Sequence, residues 1–410
     1  MWRTLGLGLV MLSLTAAPLW SARADDEAPA SPDPKVATHE QARIIAVKGT
    51  LAANRLQTLC VLPTGEVAAL VGLPRYGAPT ADVKSEVHLY KADGTKVKEW
   101  TVSFPAQSIN TSPEGTVFVA GSGKIAEFEA GGSLLREVEL AHVAEALKDA
   151  QGLRQRAEQQ LEAERKSLEA MTEQFKKQQA DLEAKGDKLT AQEKAQLQMV
   201  KANLKSFQEP LEEMKKRTVD SVVRSLTVRL STVNAVAVTE QDVFVATGEV
   251  KGFGYSVWRM NRQFKEPKQI LSGLGGCCGQ MDIQAGGGAV FVAENTRHRV
   301  GKYDRDGKRL ASFGKRGRDG DPECFGSCCN PMNTRLLADG TLLTAESEGY
   351  VKRFSADGTY LGNVGTAKLQ GGCKNVAVAA APDGDVIYFC DQPGSRIIVL
   401  TKKSGSSASQ

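Results

Sequence analysis

Histidine is scarce in this 410-residue chain, with four in all: His39, His88, His142 and His298. None recurs at a repeating position, which argues against a metal centre built on imidazoles. Aromatic residues make up only 6%. Eight cysteines are present, yet no two are spaced C-x-x-C. No nucleophile elbow, phosphate-cradling glycine loop or zinc-protease helix motif occurs, so the common catalytic signatures are missing. Net charge is +4 with both signs interspersed, which leaves no electrostatic footprint for nucleic acid. Beyond the first residues no apolar run approaches membrane-spanning length.

Those first residues, MWRTLGLGLVMLSLTAAPLWSARA, carry Arg3, an apolar run from Leu5 to Leu19 and the small-x-small triplet Ala22-Arg23-Ala24. They read as an export signal over 1–24, cleaved before Asp25. The alternative, an uncleaved anchor, would need a longer apolar run. A periplasmic or extracellular protein with no integral membrane segment after signal removal is expected, in a compartment that permits disulfides. The Pro-, Ala- and Asp-rich stretch that follows reads as a linker over 25–41.

Forty glycines point to many tight turns. Over 139–226 the composition shifts to Glu, Lys, Gln, Ala and Leu. Leu140, Leu147, Arg154, Leu161, Leu168, Phe175 and Leu182 follow a seven-residue period, with a companion seam at Val143, Ala150, Ala157 and Met171. That is coiled-coil spacing. Gly186 breaks the helix, and Leu197, Val200, Leu204, Phe207, Leu211 and Met214 continue the pattern. Two such helices fold back most simply as an antiparallel hairpin about 50–65 Å long. Pro210 is expected to kink or break the second helix. The arm is either a self-contained hairpin or a surface for a protein partner or self-association.

The flanks, 42–138 and 227–401, repeat a different unit. VFVAENTRHRVGKYDRDGKRLASFGKRGRDG (290–320) parallels LLTAESEGYVKRFSADGTYLGNVG (342–365), each with a strand, an acidic turn, a second strand, an Asp-Gly turn and a third strand. The pattern returns at 386–400, 243–271 and 117–138, and weakly at 67–100. Six units spaced by roughly 45–50 residues, with about four short strands each, define a β-propeller. The last unit supplies three strands, and ARIIAVKGT (42–50) can supply the missing outer one, closing the ring and removing free edges. Residues 402–410 read as a flexible tail. The fold class is therefore all-β, a six-bladed β-propeller with an inserted antiparallel α-helical coiled-coil hairpin.

The stretch NTRHRVGKYDRDGKRLASFGKRGRDG, running into the next unit, resembles the NHL-repeat propeller family, with its Asn/Arg-rich turn, strand, Asp-Gly and Phe-Gly step. The resemblance covers 230–400 well and 42–138 loosely. It implies a fold used for scaffolding, ligand binding and a few enzymes, so function does not follow from it.

Aligned on these strands, GGCCGQMDI (275–283), CCNPMNT (328–334) and CKNVAVA (373–379) place Cys278, Cys329 and Cys373 at one register, just before the first strand of the fourth, fifth and sixth blades. Cys277 and Cys328 precede two of them, and Cys324 sits on the neighbouring loop. Equivalent entry loops of adjacent blades converge on one mouth of the axial channel. Three chemistries fit such a rim: disulfide stapling between blades, a thiolate site for a soft metal ion or iron–sulfur cluster, or redox work by an adjacent-cysteine pair. Cys60 and Cys390 read as buried or mutually bridged.

Thinner candidates remain. Glu294, Asn295, Glu346 and Asp391 recur where the second strand ends and have the oxygen chemistry of a calcium-dependent lactonase- or esterase-like site, though acidic turn residues usually cap the backbone. His298 occupies a turn and is expected to be exposed. Asn110-Thr111-Ser112 is a glycosylation sequon. The reading that joins these features is an exported binding or scaffold protein, more a binder than an enzyme, with a cysteine-rich rim.

Overall fold

In the segment VFVAG, β-branched and aromatic residues suit a strand packed on both faces, and Val117–Gly121 is buried throughout. The same holds for Val67–Gly72, Asp242–Gly248 and Ala289–Glu294. The computed structural model describes residues 37–51, 53–73, 83–249, 254–277, 280–318, 321–369 and 375–404. Among these, six four-stranded antiparallel sheets form, each built from consecutive strands except the last. Their first strands are Arg55–Val61, Ser108–Thr111, Val233–Val238, Asp282–Gly286, Asn333–Leu336 and Val376–Ala380.

Burial falls from the first strands to the fourth, where Lys96–Val102 and Leu134–Glu139 are largely exposed or half-exposed. The sixth sheet takes its fourth strand from the start of the chain: His39–Ala46 pairs antiparallel with Arg396–Lys402. That strand begins inside the region expected to be linker.

The first strand of each sheet lies against the first strand of the next, and Val376–Ala380 lies against Arg55–Val61. Six apolar clusters fill the spaces between successive sheets. One joins Phe118 to Val243 and another joins Phe291 to Phe354. A third joins Tyr388 and Ile397 of the sixth sheet to Leu56 and Ala69 of the first. The hairpins use Asp-Gly turns. Gly307 has φ 91° and a Cβ there would run into the carbonyl oxygen of Ile270, so both backbone and space require glycine.

Between the second and third sheets come four helices: α1 (Ala141–Lys148), α2 (Ala150–Glu183), α3 (Ala191–Lys216) and α4 (Val219–Ser231). The sequence leads one to expect two helices ending at 226. Ion pairs Glu183–Lys201 and Glu164–Arg217 flank the ring contact Phe175–Phe207, which fixes α2 and α3 as antiparallel. At 34 residues, α2 is about 50 Å long.

Pro210 does not end α3, which continues to Lys216. A proline removes one backbone donor, and the break comes instead at Arg217. Thr218 then starts α4 with a capping box. Val222 is fully buried against Ala157 and Leu161, folding α4 back on α2. Leu140 N donates to Gly123 O and Gly123 N to Ser231 O, so the chain enters and leaves the arm at one point. No helix among the described residues is long and apolar enough to cross a membrane.

Candidate functional site

The loop after the fourth sheet carries Cys324, Cys328 and Cys329. Its base is a short parallel pairing of Lys315–Arg316 with Cys324–Phe325. Phe325 is fully buried against Phe354, with ring centroids 5.9 Å apart. Beneath the loop lies a buried ion pair, Lys352 Nζ to Glu346 Oε1 at 2.6 Å, with both side chains 2% exposed or less. The same Nζ donates to Asp321 O and Cys324 O, and Gly326 N donates to Glu346 Oε2. Burial pushes the Glu346 carboxyl up to about 7, against the opposing pull of Lys352. Asn330 closes the loop by donating to Gly326 O and Glu348 Oε2 and accepting from Ser347 N.

On this frame Cys329 is fully buried and Cys277 packs against the cluster that contains it. Cys277 N donates to Asn295 Oδ1, and Asn295 in turn donates to Gln280 O and Met332 Sδ, tying the two entry loops together. Cys328 is exposed, its Sγ 3.0 Å from Cys329 Sγ. Cys328 and Cys329 are therefore adjacent at the sulfur, and Cys277 borders the same apolar cluster. Cys324 is free, with its sulfur against Gly317 at the base of the loop. Cys278 and Cys373 lie outside the described residues. Among the described residues no group of three or more His, Cys, Asp or Glu is arranged to hold a metal ion.

The recurring acids sit in a repeated clamp. Glu294 pairs with Arg297 and Arg299, Glu346 with Lys352, and Asp391 with Arg396. Each closes the hairpin between the second and third strands of its sheet. Sequence reading found the acids and missed their partners. The signal was a basic residue five or six positions later in all three units.

Several expectations change. His298 is buried at 6% exposure, because the loop at Phe325 folds over it and Phe325 O contacts its Nδ1 at 3.1 Å. Asn110 is also buried and its side chain donates to Val236 O, which keeps the sequon inaccessible in the folded chain. Cys60 and Cys390 are fully buried in different clusters. Cys60 forms no disulfide, and burial raises its thiol to about 12.

Sequence reading also missed the polar axis. Gln57, Ser108, Asn234, Gln280, Asp282, Asn333 and Asn375 line a cavity of about 20 Å³ between the first strands, room for about one water. Bulges at Leu56/Thr58 and Val233/Ala235 turn Gln57 and Asn234 into it. Asp282 accepts from Thr334 N and Oγ1, Asn333 from Val378 N, and Gln280 donates to Val376 O, stitching the fourth, fifth and sixth sheets together. Burial lifts Asp282 to about 6.

No family model and no curated protein matches the chain. Among solved structures it is similar to a putative gluconolactonase at 11% identity and TM-score 0.45, covering 89% of this chain and 94% of that one. It is also similar to the WD40 domain of Neurospora crassa Pan2 at 10% identity and TM-score 0.43, covering 91% and 98%. The C-terminal WD40 domain of Sif2 is similar at 9% identity and TM-score 0.40, covering 88% and 84%.

Proposed function

We propose that this chain is an exported six-bladed NHL-type β-propeller that acts as a binding scaffold, with the helical arm taking a protein partner or a second copy. Support for a closed ring comes from the apolar clusters between successive sheets and from the strand His39–Ala46 completing the sixth. The observation that carries the binding role is an open groove of about 720 Å³ on the arm, lined by Ala163, Leu168, Met171, Pro210, Met214 and Leu226. Met171 stands 39% exposed at its edge. The groove lies outside the six clusters between the sheets, although Arg229 at one end reaches Glu249 O beside the third sheet. Arg156 and Glu164 add charge to its largely apolar wall, the make-up of a surface that a partner covers.

Charging the groove by Met171→Glu with Met214→Glu is expected to leave the sheets folded and abolish self-association or partner recovery. Sedimentation velocity and co-purification read the outcome. Unchanged oligomer size together with unchanged partner recovery would remove the arm from the account.

The cysteine rim is read as disulfide stapling between sheets. Thiolate binding of a soft metal or cluster is the second reading; only Cys328 and Cys329 stand sulfur to sulfur among the described residues, which do not by themselves supply a ligand set. A calcium-dependent hydrolase fits less well, since Ca²⁺ would have to displace Arg299, Lys352 and Arg396 from their carboxylates.

A further inference from the structure

Cys277, Cys328 and Cys329 precede the first strands of their sheets, whereas a second pocket lies where the first strands end. Val61, Thr111, Val238, Leu336 and Ala380, the last residues of five first strands, all border it. Its volume is about 360 Å³, within the range of small-molecule sites. The walls are mostly apolar, with Leu62, Leu336 and Leu337 among them, and Asn110 and Gln284 add polar atoms.

Arg335 is the one charged side chain that lines this pocket among the described residues. Its Nη1 donates to Asn110 Oδ1 at 2.8 Å. Asn110 is oriented for this, because its own Nδ2 is committed to Val236 O at 2.9 Å. Among the described residues no other hydrogen bond holds the guanidinium, and no carboxylate comes within 4.0 Å of it. Asp282 and Cys60 act on it only at longer range. Arg335 is half-buried among mostly apolar walls, a setting in which a cation is usually paired. Most donors of this planar fork face the pocket without a protein acceptor among the described residues.

We propose that this pocket binds a small organic carboxylate, its head group on the Arg335 fork and its apolar body against Leu62, Leu336 and Leu337. A carboxylate matches the fork in two parallel hydrogen bonds. A more highly charged phosphate would call for more cations than the single one that the described residues supply, and a neutral apolar ligand would leave the arginine without an anion.

Calorimetric titration of the full chain with hexanoate tests this, with 1-hexanol as the uncharged probe of the same body. Hexanoate is expected to bind saturably at one site per chain, and hexanol at least about tenfold more weakly. Arg335→Met is expected to weaken hexanoate by about tenfold or more. Ala338→Glu, at an exposed rim position, sets a like charge at the entrance and is expected to weaken it without disturbing the fold. It decides the matter if Arg335→Met does not fold. Absence of saturable hexanoate binding, equal affinity for hexanol, or hexanoate affinity unchanged by Ala338→Glu would overturn the proposal.

Discussion

Replacing Lys352 with Met is expected to destabilise the protein by about 3–5 kcal/mol, the usual consequence of stranding one member of a buried ion pair. Lys352 and Glu346 are both buried, and the ammonium also holds two carbonyls of the Cys324 loop. The variant should therefore unfold at lower urea concentration and label Cys324 faster. Adding Glu346→Gln should restore part of the loss, because the uncompensated carboxylate is then gone. Equal stability of Lys352→Met and the parent would show that the pair carries no such burden. The pH dependence has a definite sign. Glu346 is held up to about 7 by burial, so the folded state keeps its proton where the unfolded state releases it. Its contribution is full below the ordinary carboxylate value and is lost as pH rises through about 7. Glu346→Gln should remove that fall.

His142→Phe is expected to make the protein more resistant to acid, by on the order of 3 kcal/mol at pH 4 relative to pH 7. His142 is buried at the root of the arm and stacks on Trp258, ring centroids 4.3 Å apart and 12° from parallel. Neither ring nitrogen has a hydrogen-bond partner. Burial depresses its pKa to about 4, so between that value and 6.5 the unfolded chain takes a proton the folded chain refuses. Stability from this group is full above 6.5 and is lost as pH falls through about 4. Phenylalanine keeps the stack and has no proton to take. Urea midpoints at about pH 4.5 and pH 7 read the effect, and parallel shifts in parent and variant would contradict it. Glu346 and His142 act in opposite directions over much of this range, so variants are needed to separate them.

Strands such as VFVAG and turns such as DRDGK are legible because burial on both faces and an Asp-Gly turn leave local signatures. The long helices are legible from their seven-residue period. Helix α4 is not, because VDSVVRSLTVRLS is rich in β-branched residues whose local preference is for strands. The Thr218 cap and the packing of Val222 on α2 override it. The cysteine register is visible in the sequence, but the amide-lined axis is not, since Gln57 and Asn234 reach it only through bulges. Arg335 escaped notice because nothing local distinguishes it. Its isolation arises from five strands ending around it.

The central proposal is that the cysteines ahead of the first strands of three successive sheets, Cys278 and Cys373 among them although outside the described residues, are close enough to cross-link. Mild oxidation of the purified chain followed by peptide mapping without reduction tests it most directly. The account predicts cross-links joining the Cys277–Cys278 peptide to those carrying Cys328–Cys329 and Cys373. Recovery of each of these peptides unlinked to the others, with its thiols separately modified, would contradict it.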